Sequence, residues 1–337
     1  KRIKKHDLKP KNMGFFAESE TVRKRIRYIL KNDLKQIQNK KIRIIIAQRN
    51  NSSSFIKGCI SYFVAKGLGT KMTDTKLIRF ATALELYCSS AMLLDNYIDK
   101  HYERNNHTTY LREFGEKIQV LASYYAMNLG LRKLLPFLSI YTANSSPFLY
   151  NYHHAVEGMV GTDLSTSQTF REQININKLT DGYFYEMPFI IAASLATKNF
   201  KTIRQLGDFG IAWGTGMMIY EELRDLLGEH GRRRATEVES GRMILSIHLA
   251  KRMVPNIKRY VGKKLTEQGY NELIALLWDT NSIQKTATLA KKFLSRAKRM
   301  LQLKKKEAKI ISSLILDLEK SVDELAKKAF KIRQLKV

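Results

Sequence analysis

The sequence predicts an all-α fold, because helix-breaking residues are scarce and apolar residues recur with helical spacing. The 337 residues include five prolines and 18 glycines, and Leu, Ile, Ala, Lys and Glu dominate long stretches. Residues 77–94 are apolar nearly all round, as expected for a helix inside a bundle. We therefore expect one large helical bundle around a central apolar cavity.

The apolar spacing places the helices in order along the chain. Apolar residues at three- and four-residue intervals predict a basic first helix over residues 18–49, and a polar break follows at residues 50–54. We expect a basic N-terminal segment, residues 1–50, and an α-helical domain, residues 51–337. The other predicted helices are residues 55–66, 73–102, 111–135, 147–161, 176–197, 203–227, 242–261, 266–278, 282–301 and 308–333.

The formal net charge of +28 indicates anionic partners, such as phosphorylated substrates, acidic membranes or nucleic acid. Lys and Arg are spread over the whole chain, without a nucleic-acid motif and without aromatic residues interleaved in a basic segment. We therefore expect no specific nucleic acid, and at most weak peripheral contact with acidic membranes.

The two cysteines, Cys59 and Cys88, have no CxxC spacing and no paired histidine ligands. This argues against a disulfide framework and against a zinc site, and fits a reducing compartment. No apolar run approaches the ~20 residues that span a bilayer, so we expect a soluble, cytoplasmic protein that is peripheral to membranes at most.

The first acidic cluster ends the long apolar helix. Asp95 and Asp99 stand four residues apart, so both carboxylates share one helical face. Two like charges beside a core are costly to desolvate unless a cation lies between them, and Mg²⁺ prefers such oxygen ligands. The alternative is a solvated helix end, with Lys100 and Arg104 as salt-bridge partners.

The second acidic cluster places Glu221, Asp225 and Glu229 along one helix face at four-residue steps. Small residues precede it, at Gly210, Ala212, Gly214 and Gly216, and they predict close helix packing. The segment 231–234 adds three arginines, which can fork onto phosphate oxygens beside a metal. The alternative is an exposed helix end stabilised by local ion pairs.

Two segments resemble motifs of the trans-isoprenyl diphosphate synthase and class I terpene synthase superfamily, and the resemblance extends over about residues 55–333. Residues 94–99, Leu-Asp-Asn-Tyr-Ile-Asp, resemble the first aspartate-rich motif, DDxxD, with Asn96 in place of the second Asp. Residues 237–242 resemble the D-x-x-x-G-K segment, with Arg242 in place of the lysine.

The second acidic cluster is interpreted as a departure from the elongating enzymes, since Leu226 follows Asp225 and Glu229 stands in the last place. The acids at Glu221, Glu222, Asp225 and Glu229 instead resemble the N/D-D-x-x-S/T-x-x-x-E metal motif of terpene cyclases.

Residues 178–182, Lys-Leu-Thr-Asp-Gly, also resemble the R-x-x-D-G element of the cyclases, in which a helix break triggers ionisation. Lys178 is equally similar to the lysine of the family's K-T motif. Arg104 lies where the family has basic residues after its first metal motif.

The motif for a second substrate, isopentenyl diphosphate, is reduced. The family's G-K-R-x-R-P motif corresponds to residues 53–58, where Lys57 is the one base, and Cys88 lies about where the family has a histidine. The resemblance thus implies one diphosphate site rather than two.

The resemblance implies Mg²⁺-dependent ionisation and cyclisation of an allylic prenyl diphosphate by a terpene synthase, a diphosphate lyase. The alternatives are a chain-elongating prenyl diphosphate synthase and a non-catalytic subunit that binds prenyl diphosphates. A homodimer is also expected. The residues assigned are, for ionisation, Lys178, Asp181 and Gly182; for the diphosphate, Arg104, Arg232, Arg233 and Arg242; for metal, Asp95, Asp99, Glu221, Asp225 and Glu229; and for the pocket, Tyr87, Phe184, Trp213 and Tyr220.

Overall fold

The computed structural model describes residues 14–51, 53–98, 103–104, 107–108, 110–141, 153–154, 156–158, 169–228, 233–301, 303 and 305–334. The longer α-helices are α2 (Glu20–Leu34), α3 (Lys40–Asn51), α4 (Ile56–Gly67), α5 (Asp74–Ile98), α7 (Glu116–Tyr141), α8 (Phe170–Asn177), α9 (Tyr183–Ala196), α10 (Phe200–Leu227), α13 (Glu267–Asp279), α14 (Ser282–Met300) and α15 (Lys305–Gln334). The short ones are α1 (Gly14–Glu18), α6 (Tyr110–Phe114), α11 (Thr236–Glu239) and α12 (Leu245–Ala250).

Three smaller elements interrupt this helical pattern. β1 (Glu103–Arg104) pairs antiparallel with β2 (His107–Thr108) in a short hairpin. A π-helical turn, Lys178–Gly182, joins α8 to α9, and a 3-10 helix spans Pro255–Tyr260. The rest of the described secondary structure is α-helical, so the predicted all-α class is confirmed.

Two long helices form the centre of the bundle. α5 packs mainly against α7, and α10 packs against α9 and α14. In the described residues α5 is the one helix with the length and hydropathy of a membrane span, and 83% of that apolar window is buried by its neighbours. Its apolar character all round thus matches its place between other helices.

Close approach of α9 and the π turn to α10 depends on glycine. A Cβ on Gly214 would lie 2.3 Å from the carbonyl oxygen of Asp181, and one on Gly210 would lie 2.6 Å from that of Tyr185. Real Cβ atoms do not come so near a backbone oxygen, so neither position accepts a larger residue without movement. The close packing predicted from the small residues of this helix is confirmed.

Several predicted helices have wrong boundaries; the one expected over residues 111–135 is divided into α6 and α7 at Gly115, which has a φ of 81°. The single helix expected over residues 18–49 is divided between α2 and α3, where the side-chain oxygen of Asn39 accepts a hydrogen bond from the Ile42 N–H at 3.2 Å and caps α3. The helix expected over residues 242–261 ends at Ala250, and Pro255 begins the 3-10 helix.

The N-terminal helices lie on the bundle. α1 packs against α15, and α2 packs against α5 and α4. The division into residues 1–50 and 51–337, the homodimer and the cytoplasmic location all stay predictions.

Candidate metal and diphosphate site

One cation and two carboxyl groups, from three different helices, lie near Asp181. Burial raises the pKa of Asp181 to about 7; nearby Lys57 opposes that shift, and Glu221 and Asp95 add to it. These neighbours belong to α4, α10 and α5 respectively. One residue of each predicted acidic helix, Asp95 and Glu221, therefore lies near enough to Asp181 to raise its pKa.

The π turn places Asp181 at this point. The Tyr183 N–H donates to the carbonyl oxygen of Lys178, five residues back, which widens the helix by one residue per turn. Gly182 lies close to α10, where an added Cβ would be 2.9 Å from the Thr215 hydroxyl oxygen. A helix irregularity was predicted here by resemblance, and the structure has one at these five residues.

Lys57 is the buried cation of the site. Its side chain belongs to a residue that is 7% exposed, and its Nζ lies 4.3 Å from the ring centroids of both Phe184 and Tyr185. Burial alone would lower the pKa of Lys57, but Tyr185, Cys88 and Glu85 raise it overall. The ammonium therefore stays charged inside the protein.

Lys57 is surrounded by other buried polar side chains. Glu85 accepts a hydrogen bond from the Gly58 N–H at 2.6 Å, and burial raises the pKa of Glu85 while Lys57 opposes that shift. Burial likewise raises the pKa of the Cys88 thiol. The stretch that resembles a reduced second-substrate motif thus contributes a buried, internally paired lysine.

The acidic residues of α10 contact different partners. Glu221 forms an ion pair with Arg224, at 2.9 Å between Oε1 and Nη1. Glu222 is 1% exposed and accepts hydrogen bonds from Gln173 Nε2 at 2.9 Å, Asn177 Nδ2 at 2.7 Å and the Leu245 N–H at 2.9 Å. Glu222 thus joins α10 to α8 and to the start of α12.

Asp225 binds the segment that follows α10. Its carboxylate accepts hydrogen bonds from the Thr236 hydroxyl and from the Glu237 N–H, the latter at 2.9 Å. The Ala235 N–H also donates to the Asp225 carbonyl oxygen at 2.8 Å. The carboxylate therefore caps α11, although Asp225 was predicted to hold metal beside Glu221.

The predicted diphosphate-binding bases are divided between locations. Arg233 pairs with Glu239 and lines a cavity of about 410 Å³ together with Arg234, Lys264 and Tyr270. Arg242 lies 3.9 Å from a carboxylate oxygen of Glu237. Both bases therefore lie beside carboxylates of α11.

Other predicted site residues are placed as follows. Lys178 lies in the π turn, with Nζ 5.4 Å from the ring centroid of Tyr183. Asp99, Glu229 and Arg232 lie outside the described residues, as does the side chain of Arg104, whose backbone belongs to β1.

The predicted pocket aromatics are buried in the core. Tyr87, Phe184, Trp213 and Tyr220 are between 2% and 7% exposed. Trp213 packs edge-on against Tyr185 at 4.6 Å between ring centroids. Phe184 covers the ammonium of Lys57, and the Arg224 guanidinium lies over the ring of Tyr220 at 5.9 Å, so two of the four contact a cation of the protein itself.

Two features were missed at the level of sequence. Counted from Glu221, the acids at 221, 222 and 225 do have the DDxxD spacing, although the sequence was interpreted as departing from it. Tyr185, which contacts Lys57, was also missed. A signal for the buried Lys57 was present in the sequence: Glu85 is a lone acid between Leu84 and Leu86 in an apolar helix, and a buried acid needs a partner.

The acidic cluster fits a divalent cation by its chemistry. Burial is the main cause of the raised pKa of Asp181, and the charges of Glu221 and Asp95 add to it, so a cation bound near these acids would relieve their repulsion. Among the residues described, no group of three or more Asp, Glu, His or Cys side chains is arranged so that it could hold a metal ion. Mg²⁺ would therefore share its coordination with a phosphate, as it usually does.

The raised pKa of Asp181 makes stability depend on pH. Between about pH 4 and pH 7 the folded protein holds a proton that the unfolded chain releases, so this stabilisation is complete at low pH and is lost as the pH rises through about 7. Without Mg²⁺, the free energy of unfolding of the natural chain should therefore fall by about 2 kcal/mol from about pH 5 to pH 8. Asp181→Asn lacks this titration, so its stability relative to the natural chain should rise by the same amount. Urea unfolding of both proteins at the two pH values measures this change. The same stability difference between them at both pH values would contradict the raised pKa of Asp181.

No protein-family model matches the sequence, and no curated protein matches it by sequence. Solved structures do match over nearly the whole chain. A polyprenyl synthase from Caulobacter crescentus CB15, solved with calcium and isoprenyl diphosphate, has 15% identity and a TM-score of 0.80, over 93% of this chain and 99% of that one.

Two further structures match similarly. A decaprenyl diphosphate synthase from Rhodobacter capsulatus has 13% identity and a TM-score of 0.78, covering 94% of this chain and 98% of that one. A heptaprenyl diphosphate synthase from Staphylococcus aureus has 16% identity and a TM-score of 0.78, covering 91% and 98%. The resemblance stated from the sequence is confirmed at the level of architecture: the chain has the all-α fold of the trans-isoprenyl diphosphate synthases.

Proposed function

We propose that this protein binds the diphosphate of an allylic prenyl substrate through Mg²⁺ between α5 and α10, and that it acts as a prenyl diphosphate synthase. The observation that carries the proposal is that Asp95 of α5 and Glu221 of α10 both lie near enough to the buried Asp181 to raise its pKa. Bound Mg²⁺ would neutralise the oxygens of the diphosphate as it departs.

The protein's own residues supply the rest of the mechanism. Asp95 and Glu221, on opposite helices, orient the cation and through it the diphosphate. Lys57, held in a dry aromatic and carboxyl environment, adds a fixed positive charge beside Asp181. The apolar walls of α5 and α10 exclude water from an allylic cation.

Synthase activity is favoured over the lyase activity first inferred from the sequence. The three matching structures named above are all prenyl diphosphate synthases by their descriptions. The acids of α10 also keep the DDxxD spacing. Cyclisation was inferred from the reduced second-substrate motif, from residues 178–182 and from a spacing of acids that includes Glu229, which lies outside the described residues.

Incubation with Mg²⁺ and farnesyl diphosphate, with and without isopentenyl diphosphate, tests the proposal. We expect longer prenyl diphosphates only when both are present. Asp95→Ala should lower the rate by about 100-fold or more, since lost charge stabilisation amounts to several kcal/mol, while circular dichroism shows the same helical content. Hydrocarbon or alcohol released from farnesyl diphosphate alone would instead support a lyase, and full activity of Asp95→Ala would exclude the metal assignment.

A second candidate is a prenyl-diphosphate-binding subunit without its own activity. This candidate is favoured because the carboxylates of Glu222 and Asp225 already accept hydrogen bonds from donors of the protein itself, instead of being left for a metal ion. Calorimetric titration with farnesyl thiodiphosphate separates the candidates. Mg²⁺-dependent binding without turnover of farnesyl diphosphate supports the subunit, and absence of binding contradicts both.

A further inference from the structure

The outer surface of α2 and the start of α3 is mainly basic, with Glu20 at the first residue of α2 as a partly exposed carboxylate. In residues 21–41 the exposed side chains are cationic or uncharged, and none is a carboxylate. The exposed cations and the one exposed aromatic are Lys24, Arg27, Tyr28, Lys31, Lys35, Lys40 and Lys41. We call the five members on α2 and its C-terminal cap, residues 24, 27, 28, 31 and 35, the α2 face.

Helix geometry aligns the α2 face into a single stripe. Steps of three, one, three and four residues keep these side chains on one side of the helix over about 16 Å. The opposite side carries Val22, Ile26, Leu30 and Leu34, which are all buried in the core. The helix is therefore fixed in rotation, and the stripe must point outward.

The carboxylates near the α2 face are bound to other cations. Glu20 pairs with Arg23, and its second oxygen is 3.8 Å from Lys24 Nζ. Asp33 binds Lys133 of α7 at 2.9 Å. Within the described residues, Lys31 and Lys35 have no carboxylate partner, so their charge is available to an external anion.

Tyr28 lies in the middle of these charges and is 70% exposed. A tyrosine at such a position suits a lipid headgroup region, where its ring and hydroxyl meet apolar and wet surroundings respectively. Single-stranded nucleic acid sites usually offer several aromatic side chains for stacking. The α2 face offers one.

We propose that the α2 face is the surface by which the protein binds membranes containing anionic phospholipid, with α2 parallel to the bilayer plane. Cations near an acidic leaflet each strengthen binding by about fivefold, so four of them suffice for reversible, salt-sensitive attachment. The proposal does not depend on the proposed enzymatic function.

A second basic surface of the chain provides a matched control. The exposed residues of α14 include Lys285, Lys292, Arg296, Lys298 and Arg299, so this helix has at least as many exposed cations as the α2 face. It lies beside α15, whose Asp323 pairs with Lys291 and whose Glu324 is exposed. The exposed residues of α14 include no aromatic, so this surface should contribute little.

Co-sedimentation of the full chain with phosphatidylcholine vesicles, with and without phosphatidylserine, tests the proposal. The variant Lys24→Gln/Lys31→Gln/Lys35→Gln should bind phosphatidylserine vesicles about 100-fold more weakly, because three charges are lost. The control Lys285→Gln/Lys292→Gln/Arg296→Gln should bind almost as the natural chain does. Circular dichroism of both variants checks that the helices are intact.

Several results would overturn this assignment. Equal losses in the two triple variants would show that the total charge binds, and not the α2 face. Equal binding to phosphatidylcholine alone would exclude recognition of anionic lipid. Tighter binding of a mixed-sequence RNA, lost in the α2 variant, would assign the face to nucleic acid instead.

Discussion

Replacing Glu222 by alanine is expected to lower the free energy of unfolding by about 3–5 kcal/mol. The carboxylate accepts hydrogen bonds from Gln173, Asn177 and the Leu245 N–H, all buried in the same place. Without it, three donors lose their partner inside the protein, and α8, α10 and the start of α12 lose a shared contact. Urea denaturation followed by circular dichroism measures the loss.

Two further variants serve as controls for the Glu222→Ala result. Glu222→Gln keeps one acceptor oxygen but turns an amide N–H₂ toward donors, so it should lie between the natural chain and the alanine variant. Glu324→Ala removes an exposed carboxylate of α15 and should change stability by less than about 0.5 kcal/mol. Equal effects of Glu222→Ala and Glu324→Ala would contradict the structural role of Glu222.

Gly214→Ala is expected to be the most damaging single-methyl addition at the site. The new Cβ would lie 2.3 Å from the Asp181 carbonyl oxygen, and that oxygen belongs to a backbone that packing holds in place. We expect a loss of about 3 kcal/mol or more, together with displacement of Asp181 from Asp95 and Glu221. Urea unfolding and farnesyl thiodiphosphate titration measure the two effects.

Gly216→Ala on the same helix is the matched control. Its Cβ would first meet the end of the flexible Leu294 side chain at 3.1 Å, and then the Ala290 carbonyl oxygen at 3.3 Å. A small adjustment relieves this contact, so its loss of stability should be clearly smaller and ligand binding should be kept. Similar stability and binding in both variants would show that the π turn moves freely relative to α10.

The long helices were predictable because the pattern of apolar residues that specifies each one lies within a single segment of the sequence. α5 and α10 follow from apolar periodicity, and the glycines of α10 indicated close packing before any partner was known. Helix ends were harder to predict. The cap at Asn39 divides a run whose apolar spacing continues across it, so periodicity alone joined α2 to α3.

The candidate site was predictable in part. Asp95 and Glu221 follow from the spacing of acids at the ends of apolar helices. The contact of Lys57 with Tyr185 joins residues more than a hundred positions apart, and it depends on how α4 packs against α9. Such a pairing leaves no trace in the spacing of either segment.

Asp225 shows a different limit of sequence reasoning. Its position four residues after Glu221 predicts a shared helix face, and both residues do belong to α10. The turn after α10 brings Thr236 and the Glu237 N–H to the Asp225 carboxylate. Whether an acid on a helix binds metal or caps the next helix therefore depends on the path of the loop.

The π turn between α8 and α9 also sets the rotational register of the two helices. Its extra residue, relative to an α-helical turn, rotates all side chains on one side of it by about 100° relative to those on the other. Asn177 can thus bind Glu222 while Tyr185 contacts Lys57, although both lie on nearly continuous helix. A chain one residue shorter at this point would form a regular helix and turn one of these two contacts away.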